Sequence, residues 1–507
     1  VLAMRMVAEA TEGNLFFPAA RRQGSTIMRS RPSGRCPVGR LSAEGAMTTT
    51  SAATPSFSAG RGSDVRGFSR RRFGAAAAVA AAPFIVPRSV FGANAPSNRV
   101  NVAIIGCGNQ SRADVPAMLQ MADVQVVAVC DVNRGSRGYA QPEHFLGREP
   151  VRQLVHDHYA TREKSGSYRG CDASADFRDV LARDDVDAVV VTLPDHWHAL
   201  VTVLACQAGK DVYCQKPMSL TVDDGRRMVA AVRGHRRILQ TGSQYRSHPA
   251  VRTMCELVRN GRVGEVRKAV AIVNDSGSGP GPGWKEMPVP EGFDYDMWLG
   301  PAPEAPYHVD RCLYRFRFHL DYSGGQVTNT GAHAIDIVQW GLGMDDTGPV
   351  EFRDLGAVWP EPGHLFTTAM KTHFGARYAN GVELECVTQS PGFGARFEGT
   401  EGWIQFTGGT LQASTPAILD APLGPDALRL PVSPGHYRNF IDSVKSREEP
   451  IEPVEVGHRT ASVCHLGNIA MRLKKTLQWD PAAERFPADA QAESMLRRPY
   501  RGAWKIG

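Results

Sequence analysis

The feature that most constrains this chain lies between residues 100 and 131. A β-branched run, Val100 to Ile105, leads directly into Gly106-Cys107-Gly108-Asn109-Gln110-Ser111. A helix-like stretch (Ala113 to Met121), a second apolar run (Val124 to Cys130) and Asp131 follow. Strand, glycine turn, helix, strand and acid in that order read as the dinucleotide-binding unit of a parallel α/β sheet. Gly106 permits the tight turn, and Gly108 lets backbone amides approach a pyrophosphate at the positive end of the helix. Ser111 stands where the fingerprint has its third glycine. Asp131, at roughly the expected offset, is placed to accept the ribose hydroxyls and to repel a 2′-phosphate, which favours NAD over NADP. Arg134, three residues on, weakens that preference.

The alternation continues. Helix-like Phe177 to Leu181 precedes an apolar strand, Asp187 to Leu193, which runs into Pro194-Asp195-His196-Trp197-His198. Helix-like Ala199 to Ala208 stops at Gly209, and the strand Asp211 to Cys214 enters Gln215-Lys216-Pro217. Strands and helices alternating at these lengths give a doubly wound parallel sheet, a Rossmann domain. Chemistry on such sheets gathers at the carboxyl ends of strands, where His198 and Lys216 fall.

At 507 residues the chain exceeds what one core usually fills, so two domains plus a tail are expected. The formal charge of +6 comes from the first 95 residues, which hold 13 Arg against 4 acids; the remainder, with 45 basic and 48 acidic residues, is slightly negative. No basic surface is left to track a phosphate backbone, which sets nucleic acid aside. The 10 cysteines show no CxxC and no metal-ligand spacing, so no zinc site is expected, and Cys107, Cys130 and Cys206 read as small buried hydrophobes.

Residues 1–68 show no sustained apolar period. Ser69-Arg70-Arg71-Arg72-Phe73 and the Ala-rich run Gly74 to Val86 match a twin-arginine export signal, too short for the ~20 residues that span a bilayer. Ala93-Asn94-Ala95 reads as a cleavage site, with a cut after Gly92 as the alternative.

At this point the chain resembles the Gfo/Idh/MocA family (glucose-fructose oxidoreductase, inositol dehydrogenase, MocA), in its subgroup with export signals. The family's Glu-Lys-Pro appears as Gln215-Lys216-Pro217. Further similarity lies in Pro194 to His198, Gly242-Ser243-Gln244-Tyr245-Arg246, Gly324-Gly325 through Gly331-Ala332-His333-Ala334-Ile335-Asp336, Glu398 to Gly402, and Tyr500 to Trp504. The resemblance covers about residues 98–507. It implies a leader at 1–97, a Rossmann NAD-binding domain at 98–243, and an α/β substrate and oligomerisation domain with a large open, mostly antiparallel sheet at 244–455. A C-terminal helix and tail at 456–507 would pack back on the body, and a homo-oligomer is expected. It also implies a sugar, polyol or glycoside substrate, His333 as base and Lys216 as its partner. Gly106, Gly108, Asn109, Gln110, Ser111, Asp131, Pro194, His196, His198 and Lys216 would line the NAD site. Two departures stand out. Gln215 replaces the Glu before the lysine, and Asn329 replaces the Asp of an Asp-x-x-x-His motif.

Oxidising a carbinol requires removing its hydroxyl proton as hydride leaves, so a group titrating near neutrality must sit at that hydroxyl. His333 suits that by its intrinsic pKa, and Lys216 can stabilise the developing alkoxide. Asp336, three residues after His333 on an apparent helix from Ala332 to Leu342, is expected to orient the imidazole in place of Asn329. His196 and His198 have no third metal ligand and are read as packing beside the nicotinamide. Tyr245, Arg246 and His436, with Tyr437 and Asn439, are candidates either for sugar hydroxyls or for a subunit contact. The loop from Ser276 to Trp284, with Trp298, is read either as an aromatic platform for a sugar ring or as a surface connection.

Export constrains the reaction. Free NAD is not expected outside the cytoplasm, so the cofactor is expected to travel with the folded protein through the twin-arginine machinery and to be reoxidised within each cycle. Two alternatives remain open: an NAD-assisted glycoside hydrolase or lyase working through a transient keto-sugar, and a non-catalytic NAD- or sugar-binding module.

Overall fold

Why the chain folds as it does is plainest in its first sheet. The computed structural model describes residues 98–277, 279–390 and 392–506; the twin-arginine reading at 69–95 lies outside them. Six short strands, β1 (Val100–Ile105), β2 (Val124–Cys130), β3 (Asp172–Ser174), β4 (Ala188–Val191), β5 (Asp211–Cys214) and β6 (Leu239–Thr241), pair in the order β3-β2-β1-β4-β5-β6, every pair parallel. The central strands are near-continuous Val and Ile because helices cover both faces. The helices are α1 (Ser111–Leu119), α2 (Arg148–Glu163), α3 (Phe177–Leu181), α4 (Asp195–Gln207) and α5 (Val222–Gly234). The strand order reverses direction between β1 and β4, the switch point where such sheets bind ligands.

α4 starts four residues before the position read from sequence. Pro194 is extended and Asp195 supplies a carboxylate to the positive first turn, so the helix begins where the strand stops. His196 and His198 therefore ride on the first turn of a helix.

The rest of the chain runs α6 (Pro249–Arg259), β7 (Val266–Val273), α7 (Tyr295–Leu299), α8 (Thr330–Leu342), β8 (Glu351–Asp354), β9 (His373–Arg377) and β10 (Glu383–Thr388). It continues with β11 (Gly394–Gly399), β12 (Gly402–Thr407), β13 (Thr410–Ala413), α9 (Pro416–Asp420), α10 (His436–Ser446), α11 (Val454–Leu473), β14 (Thr476–Gln478) and α12 (Ala490–Ser494). The second sheet has the order β13-β12-β11-β7-β10-β9-β8-β14, and only β7 with β10 is parallel. α6, α8 and α11 supply Met254, Ile335, Val338 and Cys464 to a core shared with Phe374, Phe397 and Phe406 of the sheet. Its other face carries ion pairs such as Arg353–Glu383 and Arg377–Glu351.

Two late segments cross back to the first sheet. Phe440 and Ile441 of α10 pack with Val115 and Tyr213, although residue number alone places them in the second domain. Trp504 packs edge-on against Trp197, ring centres 5.0 Å apart, and the Tyr500 hydroxyl donates to Asp224 at 2.8 Å.

Candidate active site

The glycine turn packs against the end of β4. Gly106 adopts φ +103°, and a Cβ there would stand 2.4 Å from the Thr192 carbonyl oxygen, so only glycine fits. A Cβ on Gly108 would stand 3.2 Å from the Tyr139 ring. Ser111 is buried, and its hydroxyl donates to the Gly108 carbonyl at 2.7 Å, closing the turn that a third glycine would otherwise shape. Among the described residues, the backbone N–H groups of Gly108, Asn109 and Gln110 donate to no protein acceptor, and the buried Oδ1 of Asn109 is unpartnered. Three free donors at a helix start form a cradle suited to a pyrophosphate. Asp131 closes its far side, accepting from the N–H of Cys107 at 2.6 Å and of Asn133 at 2.7 Å. Each carboxylate oxygen keeps a lone pair for a ribose hydroxyl. These residues fit NAD. Gln110 turns instead to Asp114, 3.1 Å away.

Lys216 leaves the end of β5 and reaches across to the start of α8, where its Nζ donates to the carbonyl oxygen and the Oδ1 of Asn329, both at 3.0 Å. Asn329 is the N-cap of the helix that carries His333 on its first turn. The His333 ring is half-buried between Tyr245 and Phe393, with centroids at 5.1 and 6.1 Å, and its buried Nδ1 has no partner. Burial, and then the Lys216 charge, hold its pKa well below the usual value for histidine. Burial, and then the Arg317 charge, push Lys216 down to about 8 against the opposing pull of Asp195. At neutral pH the site therefore presents a neutral imidazole beside a lysine cation.

Two residues at this centre were not singled out from sequence. Arg317 donates to Asn329 Oδ1 at 3.4 Å and lies over the Tyr314 ring at 4.0 Å. Asp195 is buried, accepts from the Ser323 hydroxyl at 2.5 Å, and has its pKa raised by burial against the pull of Lys216 and Arg317. Asp195 was visible as the acid that opens α4; nothing local marks Arg317.

Several expected site residues are engaged elsewhere. Asp336 does not orient His333. It is fully buried and takes two-pronged hydrogen bonds from Arg246 at 2.7 to 3.0 Å, with Thr460 at 3.2 Å. Arg246 is likewise buried and spans Asp336 and Asp345, with Glu452 3.7 Å away, so it is not presented to a sugar. His436 has both ring nitrogens occupied, by the Thr241 carbonyl at 3.0 Å and Ser247 at 3.1 Å. Tyr437 donates to Asp114 and Asn439 accepts from Ile451 N. His198 sits 2.8 Å from the carbonyls of both Leu193 and Pro217, which makes it a positioning residue for the turn carrying Lys216. His196 contacts the Trp298 carbonyl at 3.0 Å, and Trp298 itself belongs to a small aromatic core. Among the described residues no group of three His, Cys, Asp or Glu is arranged to hold a metal. Gln215, which stands for the family's glutamate, donates to both oxygens of buried Asp114 at 2.9 Å.

A dinucleotide-binding domain joined to a mixed-sheet domain, with a lysine and a histidine meeting at their junction, defines a two-domain oxidoreductase. Residues 100–243 match the family model described as oxidoreductase family, NAD-binding Rossmann fold, and residues 281–506 the one described as oxidoreductase family, C-terminal alpha/beta domain. The chain belongs to the Gfo/Idh/MocA oxidoreductase family. It is 29% identical over 174 residues to a dTDP-3,4-didehydro-2,6-dideoxy-alpha-D-glucose 3-reductase from Saccharopolyspora spinosa, covering 34% of this chain and 45% of the relative. It is 30% identical over 138 residues to a glycosyl hydrolase family 109 protein from Shewanella baltica, covering 27% of each. The chain thus spans less than half the length of these curated relatives. An aldose-aldose oxidoreductase from Caulobacter crescentus, crystallised with glycerol, shares the fold with TM-score 0.52 at 20% identity, over 75% of this chain and 99% of that one.

Proposed function

We propose that this protein oxidises a hydroxyl of a sugar, polyol or glycoside, with His333 accepting the hydroxyl proton and Lys216 holding the same oxygen as it becomes an alkoxide. The observation that carries this reading is the lysine cation beside a neutral, unpartnered imidazole, both anchored at Asn329 and the start of α8. Bound NAD supplies a hydride acceptor. Asn329 fixes the ammonium through two oxygens, Asp195 tempers the charge of Lys216 and Arg317, and Tyr245 and Phe393 wall the imidazole from bulk water. Residues 69–95 support an exported, periplasmic setting, in which the cofactor is held tightly and reoxidised within the cycle by giving the hydride to the carbonyl of a second sugar; homo-oligomeric assembly belongs to the same reading.

Mass spectrometry of the denatured, purified protein should find NAD, and a sugar panel should change the nicotinamide absorbance. Purified protein with no nucleotide contradicts the reading. The glycosyl hydrolase relative favours a second outcome on the same residues: transient oxidation that acidifies a neighbouring C–H and permits cleavage. Release of an aglycone without net NADH distinguishes it.

A further inference from the structure

The catalytic junction carries more positive charge than it balances. Lys216 and Arg317 converge on one neutral amide oxygen, Oδ1 of Asn329, at 3.0 and 3.4 Å. Arg317 makes no ion pair among the described residues; its Nε donates to the Tyr314 carbonyl at 2.9 Å. The acid acting on both cations is Asp195, already engaged by Ser323.

Arg311 stands six residues earlier in the same segment and is 8% exposed. Its guanidinium makes no ion pair among the described residues, and its buried Nε is unpartnered. The Trp284 ring lies 5.3 Å below it. The nearby acid Asp310 is committed to Arg315 at 3.2 Å and His308 at 3.9 Å. The Tyr322 hydroxyl is the polar group nearest Arg311, and the Tyr322 ring lies 5.1 Å from that of His196, next in sequence to Asp195. Arg311 thus meets Tyr322, which packs on the helix turn carrying Asp195, the acid that acts on Lys216 and Arg317. Elsewhere in the molecule buried or half-buried arginines grip carboxylates: Arg246 holds Asp336, and Arg226 holds Glu455 and Glu484. Buried charge is ordinarily paired, and the guanidinium fork matches a carboxylate or phosphate.

We propose that the substrate of this site carries an anionic group, a carboxylate or a phosphate, bound by Arg311 and Arg317 beside the hydroxyl held by Lys216 and His333. The inference rests on the sugar-oxidising reading above and narrows it to acidic sugars.

The test uses the NAD-loaded protein and matched probes: D-glucuronate against D-glucose, D-galacturonate against D-galactose, and D-glucose 6-phosphate against D-glucose. The acidic member of a pair should show a kcat/KM about tenfold or more higher, mainly through KM, and the first two pairs against the third separate carboxylate from phosphate. R311Q and R317Q should each collapse that ratio, while R311K, which keeps the charge, should retain most of it. Bound NAD, measured in every variant, reports whether the site has formed, and R317Q with R311K decides the matter if R311Q does not fold. Equal oxidation of acidic and neutral sugars overturns the inference and leaves sugar oxidation standing. No oxidation of any probe with NAD bound overturns the functional reading itself. Loss of NAD from the arginine variants with an unchanged acid-to-neutral ratio also overturns the inference, by assigning the two cations to the cofactor's phosphates.

Discussion

One turn of α8 separates two buried polar clusters with opposite characters. His333 faces a centre where Lys216, Arg317 and Asp195 crowd together, with its own Nδ1 left unpartnered. Asp336, three residues on, faces Arg246, Asp345, Thr460 and Glu452, where almost every donor and acceptor is used. A satisfied network locks the junction of elements far apart in sequence. The unsatisfied one keeps its capacity for a bound molecule. Polar groups that the fold leaves wanting mark the working side of the helix better than burial or charge does.

Substitutions on the two sides should separate activity from stability. The largest effect is expected from K216M, which removes the cation proposed to hold the substrate oxygen and should lower kcat by about 10³ to 10⁴ while NAD remains bound. Steady-state kinetics with mass spectrometry of the nucleotide checks this; wild-type rates would place the chemistry elsewhere. R246M should act the other way, costing about 3 to 5 kcal/mol of stability by stranding the Asp336, Asp345 and Glu452 carboxylates, as read from chemical denaturation. H333Q comes next, with kcat down about 10²-fold and an unfolding midpoint close to wild type. D336N should cost about 1 to 3 kcal/mol and leave the pH profile of kcat/KM unmoved; a shifted profile would restore Asp336 as the orienter of His333. The smallest effect concerns pH. Burial and Arg317 lower Lys216 to about 8, so the ammonium is present below that pH and lost above it. Accordingly kcat/KM should fall about tenfold per unit as pH rises beyond about 8.

How much of this was legible in the sequence follows the range of the interactions involved. β1 and β2 fall on the expected residues because β-branched runs bounded by glycine or acid need no distant partner to declare themselves. β3 escaped notice as a three-residue edge strand with little buried apolar surface, and α2 because only Val151, Val155 and Tyr159 on it are buried. Lys216 and His333 were legible through their motifs. The role expected of Asp336 was not, because helical spacing shows which side chains share a face but not that Arg246, 90 positions away, claims the carboxylate first. Arg311 sits in irregular chain and Arg317 in a single 3₁₀ turn (Arg315–Phe318), neither with a periodicity to read, and only the folded chain shows which of these arginines lack a counter-ion.

The return of Trp504 and Tyr500 to the first sheet has a consequence for how the molecule is made. Tyr500 meets Asp224 across 276 positions, and Trp504 covers Trp197 and Phe177. A ribosome emitting the nucleotide-binding half therefore releases it with an indole and a phenyl ring still uncovered, and that half is sealed only when residues 500–504 emerge. Excising residues 98–243 as a separate domain would expose the same unsealed surface.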